Sequence, residues 1–153
     1  MRNVVKRIFL TYIMLILPIP LQAEEVKKGK DVIITPILET DRTTSGQIIS
    51  LPQGNVQVIV SKYEIAPGAE LPIHKHSYPR YGYVLAGMLR VSNQDTGKSR
   101  VFKTGEFIVE AIDQWHQGTN IGSTPLELLV IDQVEEGKSN IILPDKAPSG
   151  VAN

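Results

Sequence analysis

Pro67-Gly68-Ala69-Glu70-Leu71-Pro72-Ile73-His74-Lys75-His76-Ser77-Tyr78-Pro79-Arg80-Tyr81-Gly82-Tyr83-Val84-Leu85-Ala86-Gly87 holds two of the three histidines in this 153-residue chain. His74 and His76 are one residue apart. Side chains alternate along an extended strand, so both imidazoles project to the same face if this stretch is extended. The third histidine, His116, lies forty residues on, in a second segment that also opens on a turn glycine, Gly105. The fold and the chemistry of the chain turn on whether these three residues form one constellation.

The chain around them reads as strands. Val56 to Ile65, Tyr81 to Val91, Ser99 to Lys103, Phe107 to Glu110 and Leu126 to Val134 are rich in β-branched, aromatic and aliphatic residues. Turn chemistry separates them, notably Ser92-Asn93-Gln94-Asp95-Thr96-Gly97-Lys98, a hairpin with Gly97 at the positive-φ position. Val32 to Leu38 reads as a strand interrupted by Pro36, hence an edge or exchanged strand, and Gln47 to Leu51 as a short one. No segment after residue 23 has the 3.6-residue period of an amphipathic helix. Short strands with regular turns point to an all-β sandwich or barrel.

Composition narrows the chemistry. The chain has no cysteine, which excludes disulfides, thiolate metal sites, iron–sulfur clusters and a lipid-anchored cysteine. Residues 1–23 follow the order of a secretory signal peptide: Arg2, Lys6 and Arg7, then the apolar run Ile8 to Leu17, then Pro18-Ile19-Pro20 and Leu21-Gln22-Ala23. The run is about ten residues, short of the ~20 that span a bilayer. Cleavage after Ala23 removes three of sixteen basic residues and none of sixteen acids, leaving thirteen against sixteen, a formal −3. A mildly acidic chain without a basic cluster argues against nucleic acid or an anionic membrane as partner. The reading is an exported protein, periplasmic or secreted, with a tether at 24–31, one domain at 32–145 and a loose tail at 146–153.

The spacings carry a resemblance. Gly68 is followed by five residues, His74, one residue, His76, three residues, position 80, six residues and Gly87. Gly105 is followed by five residues, Ala111, one residue, Asp113, two residues, His116, three residues and Asn120. These paired spacings resemble the two motifs of the cupin superfamily over roughly 56–134. The resemblance implies a jelly-roll β-barrel, a divalent transition metal (zinc, iron, manganese, nickel or copper) held by His74, His76 and His116, and a homodimer that uses sheet edges and Val32 to Leu38. Ala111 and Asp113 replace the usual proline and glycine, and Asp113 tolerates the left-handed backbone that the turn needs.

Position 80 departs from the pattern. The superfamily's fourth ligand is a glutamate there, and this chain has Arg80, which stays protonated and has no lone pair to give. Arg80, Gly82 and Val84 share parity and are expected to face the interior. Three readings follow: the three histidines hold the metal and Arg80 binds an anionic ligand; Glu110 or Glu70 supplies the missing carboxylate; or the site is metal-free. The first is the expectation, with Tyr78 at the mouth and Gln114, of His116 parity, as further ligand-binding residues. The implied functions are an exported small-ligand binder, a metal-dependent oxygenase- or isomerase-like enzyme on a hydroxylated or carboxylated substrate, or a scaffold. Whether the protein is an enzyme stays open, because the motifs offer no general acid–base glutamate.

Overall fold

The structure, a computed structural model, describes residues 31–145. The signal-peptide reading of 1–23, the tether up to residue 30 and the tail at 146–153 lie outside the described residues. Seven strands follow in chain order: β1 (Val56–Ile65), β2 (Arg80–Ala86), β3 (Met88–Asn93), β4 (Ser99–Lys103), β5 (Phe107–Val109), β6 (His116–Asn120) and β7 (Leu126–Glu135). The described residues contain no helix. All pairings are antiparallel. They build a four-stranded sheet, β1-β7-β2-β5, and a three-stranded sheet, β4-β3-β6.

The core lies where the inward columns of the two sheets meet. Ile65, Val84, Ile108, Leu126, Leu128 and Val130 come from the first sheet, Leu89 and Phe102 from the second. β7 shows the mechanism most plainly: its burial alternates without a break from Leu126 to Glu135. Its inward column reads Leu126, Leu128, Val130, Asp132, Val134. Burying each of these aliphatic side chains stabilises the fold by roughly 1.5–3 kcal/mol. Asp132 interrupts the column with a charge, and the cross-strand register places it directly opposite Arg80 of β2.

The Tyr81 to Val91 segment is not one strand. It breaks at Gly87 (φ +89°), and its halves join different sheets. A side chain there would meet Pro125 O and Leu126 Cα at 3.0 Å, so both backbone angle and close packing require glycine. Val32 to Leu38 forms no strand within the described chain; Pro36 has no N–H to give to a ladder, and its apolar side chains stay exposed. Gln47 to Leu51 contributes only a bridge between Arg42 and Ile48. His116 to Asn120, unassigned from the sequence pattern, is β6. Asp113 adopts φ +52°, the left-handed backbone expected of it.

Candidate metal centre

His74 and His76 sit just before β2, and His116 opens β6. The first and third are tied backbone to backbone: His74 N–H donates to His116 O at 3.0 Å and His116 N–H to His74 O at 2.9 Å. His76 O accepts from Asp113 N–H at 2.8 Å. These bonds bring the two histidine segments together, with ring centroids 4.6–4.9 Å apart. Glu110, two residues beyond Ile108 on the inward column of β5, joins them. Its N–H donates to Arg80 O at 2.8 Å. One candidate ligand atom from each of His74, His76, Glu110 and His116 falls in a group within 4.8 Å, and all four residues are buried.

The hydrogen bonds fix what each ring offers. His74 Nδ1 lies 2.7 Å from Pro72 O, His76 Nδ1 2.9 Å from Asn140 O and His116 Nδ1 2.8 Å from Gln114 O. A carbonyl only accepts, so each Nδ1 carries a hydrogen, and in the neutral ring each Nε2 keeps its lone pair. Two of those Nε2 atoms converge on one carboxylate oxygen: Glu110 Oε2 is 2.8 Å from His76 and 3.0 Å from His116. Lone pairs facing a carboxylate oxygen repel unless a proton or a cation lies between them. Three neutral imidazoles and one carboxylate, each ring oriented by a backbone carbonyl, are a donor set that fits a divalent transition metal.

Charge states agree with this for His74 and Glu110, while His116 without a metal favours a proton between its Nε2 and the carboxylate. Burial, and then the neighbouring imidazoles, hold His74 down at about 4, so it stays neutral. Burial alone would raise the Glu110 carboxyl, but hydrogen bonds from His116 and His76 outweigh it and keep the group well below the usual carboxylate range. His116 is pushed up: burial opposes its charge, and the Glu110 carboxylate overcomes that.

Arg80 corrects the sequence reading in part. It faces the interior, as its parity requires, and is 4% exposed. Its guanidinium, however, is not a free anion clamp. Nε donates to Asp132 Oδ1 at 2.9 Å and Nη2 to Asp132 Oδ2 at 2.7 Å, a two-pronged buried pair. The space at Gly82 is no larger than a methyl group, since a Cβ there would already touch Ile108 and Leu128 at 3.5 Å. Asn140 closes the network. Its Nδ2 donates to Asp132 Oδ1 at 2.7 Å and to Tyr78 O at 3.1 Å, and its Oδ1 accepts from Tyr78 N–H at 2.9 Å. Through its own carbonyl it also holds His76.

Tyr78 and Gln114 are likewise placed differently from their expected roles. The Tyr78 phenol lies toward Glu135 on the outside rather than over the histidines. The Gln114 side chain accepts from Asn93 Nδ2 at 2.8 Å, and it is the Gln114 carbonyl that serves the site, through His116. Glu70 lies beside Thr119, leaving Glu110 as the carboxylate of the group. Trp115 is half-buried under Lys75 Nζ, 5.2 Å from its ring centroid, rather than in the core. Two participants escaped the sequence reading. Asp132 had a signal, a charge in an apolar inward column; Asn140, in an irregular segment outside both motifs, had none.

The space around the centre is uneven. Toward the interior, a void of about 10 Å³ is bounded by His74, Glu110, His116, Arg80 and aliphatic side chains. Toward the hairpin, a recess of about 300 Å³ reaches His116 and Ala111.

Comparison with known proteins supports the architecture. The family model described as "Cupin domain" matches residues 61–132. Among solved structures, an oxalate oxidase in complex with the substrate analogue glycolate is 26% identical, over 57% of this chain and 46% of its own, with a TM-score of 0.48. The oxalate decarboxylase of Lactobacillus farciminis, a formate complex, is 23% identical over 57% of this chain and 26% of its own, TM-score 0.50. A polyketide cyclase of Streptomyces resistomycificus is 20% identical over 62% and 66%, TM-score 0.50. The matched region thus spans less than half of the oxalate oxidase chain. No curated protein sequence matches the chain.

Proposed function

This chain carries a cupin domain, and on that premise we propose that it is an exported protein holding one divalent transition metal through His74, His76, His116 and Glu110, with an open side for a small anionic ligand. The observation that carries the proposal is the grouping of three carbonyl-locked imidazoles with one buried carboxylate, two of them with Nε2 within 3.0 Å of its oxygen. When bound, the metal supplies Lewis acidity toward an oxygen of the ligand. The chain's own residues do the rest. Pro72 O, Asn140 O and Gln114 O fix the rings, Glu110 neutralises one charge, and the aliphatic walls of the inner void keep bulk water from behind the centre.

An anionic ligand follows from charge. With the imidazoles neutral, as a metal requires, the buried ionised groups among the described residues are Glu110, Asp132 and Arg80, two negative and one positive. A divalent ion turns that −1 into +1, and a monoanion restores neutrality in a site where uncompensated charge is costly. The same balance suits an enzyme acting on a carboxylated substrate. Metal analysis of protein purified without chelator tests the proposal. One transition metal per chain, lost in His74→Ala, is expected; wild-type protein without stoichiometric metal overturns it.

Two further parts of the proposal have their own supports. The order of charges, apolar run and Ala23 in residues 1–23 supports export; a reporter fused behind residue 30 is expected outside the cytoplasm, and its retention inside refutes export. A homodimer is supported by β1, the outer strand of its sheet, whose Val56, Val58 and Val60 are 46, 56 and 59% exposed on one face. Sedimentation equilibrium is expected to give twice the chain mass; a monomer at all concentrations rules it out.

A further inference from the structure

The inward face of the β3–β4 hairpin changes character along its length. Leu89 pairs with Phe102 and Val91 with Arg100 in the antiparallel register. Near the core this column is Leu89 and Phe102, 2% and 1% exposed. One step further it is Val91 and Arg100, and then Asn93 and Lys98. A column that begins buried and apolar thus ends in two exposed cations. Both line the recess of about 300 Å³, as do His116, Ala111, Thr44 and Ser45.

The two cations are positioned yet uncompensated. Arg100 lies over Phe102, with Cζ 4.8 Å from the ring centroid, a contact that holds the guanidinium without using its donors. The hairpin is anchored to the segment that carries His116. Gln94 N–H donates to Trp115 O at 2.8 Å, Asn93 Nδ2 to Gln114 Oε1 at 2.8 Å and Trp115 N–H to Asp95 Oδ2 at 2.8 Å. The hairpin's own acid, Asp95, is therefore turned to the Trp115 backbone, and Asp113 is paired with Lys75. No acidic residue lines the recess. Among the described residues neither Lys98 nor Arg100 takes part in an ion pair.

We propose that Arg100 and Lys98 form the carboxylate-binding end of the ligand site, the role that Arg80 cannot fill because Asp132 occupies it. The inference rests on the metal reading above for the other end of the ligand. It names the substrate class: a small organic carboxylate whose acid group meets Arg100 and Lys98 while an oxygen at its other end faces the His116 side. The recess sets the rest of the shape. Val91, Phe102 and Ala111 give apolar contact, and Thr44, Ser45, Thr96 and Ser99 give hydroxyls, which suits a compact hydroxylated or aromatic acid. The interior void of about 10 Å³ admits nothing larger than a water, so the recess is where such a ligand has room.

The test uses calorimetric titration of salicylate and malonate against their uncharged amides, with metal content measured on every sample. Wild-type protein is expected to bind at least one of the acids tenfold or more tightly than its amide. Lys98→Gln/Arg100→Gln abolishes that preference while metal content stays at the wild-type value, and Arg100→Lys restores part of it in the Lys98 background. The subsite is overturned if neither acid is preferred over its amide, or if the double variant keeps the preference. Wild-type protein lacking metal but retaining a Lys98- and Arg100-dependent preference overturns the metal reading alone.

Discussion

Two buried polar groups stand side by side in this protein and differ in one respect. The Arg80–Asp132–Asn140 group is closed in charge: the guanidinium and carboxylate neutralise each other through two parallel bonds, and Asn140 Nδ2 donates to the same carboxylate. The His74–His76–Glu110–His116 group is open: its three Nδ1 hydrogens are committed to carbonyls, and with the rings neutral the Nε2 atoms of His76 and His116 face a carboxylate oxygen as acceptor against acceptor. The first group is complete with the residues of the chain. The second requires something positive from outside. Burial and charge density are similar in both, so neither distinguishes a site from a structural ion pair; the donor–acceptor balance does.

The largest way to break the comparison is to open the closed group. Arg80→Met leaves Asp132 buried and unpaired and is expected to cost about 3–5 kcal/mol of stability, while Arg80→Met/Asp132→Leu recovers most of it. Denaturant unfolding of the four members of that cycle decides the point; a small loss in the single variant would mean that the pair is not a stabilising unit. Closing the open group comes next. Glu110→Gln keeps the shape but removes the charge, and its affinity for zinc is expected to fall on the order of 100-fold, at or above the upper end of what outer-shell changes cost, as read by competition with a chromophoric chelator.

Acidity sharpens the contrast in the same direction. The Glu110 carboxylate raises His116 above its ordinary 6.5 in the metal-free protein, so that form binds a proton which the metal must displace. Affinity is expected to fall as pH falls through the neutral range, by about tenfold per unit for each proton displaced. His74, held at about 4, adds a further proton only in stronger acid. Zinc affinity flat from pH 8 to 6 would show that no proton competes. The smallest effect tests the joint between the groups. Asn140→Ala frees the segment whose carbonyl orients His76, and zinc affinity is expected to drop about tenfold, the low end for a ligand-orienting contact. Unchanged affinity would leave Asn140 a purely structural residue.

The three histidines were legible because their spacing is local and anchored by turn glycines: Gly68 and Gly105 both hold positive φ, and Asp113 does so where the pattern has glycine. The all-β fold was legible from strand composition and the hairpin at Gly97. The break at Gly87 was not, because a run of good strand formers does not say that its two halves belong to different sheets. The carboxylate of the group, Glu110, was only a second reading for a related reason. A spacing rule follows one strand and arrives at position 80, whereas the carboxylate comes from Glu110 at the end of β5, the neighbour across the ladder from β2. Arg80 and Asp132 are fifty-two residues apart and meet only through the β2–β7 register. Asn140 joins the network through three side-chain bonds and one carbonyl, from a segment sixty-four residues beyond His76.

The central claim is the ligand set, and metal-edge X-ray absorption of the zinc-loaded protein reads it directly. Three imidazole nitrogens at about 2.0–2.1 Å and a carboxylate oxygen at about 2.0–2.2 Å are expected, with the oxygen contribution reduced in Glu110→Gln. A shell with fewer than three imidazoles, or one unchanged by Glu110→Gln, would contradict it.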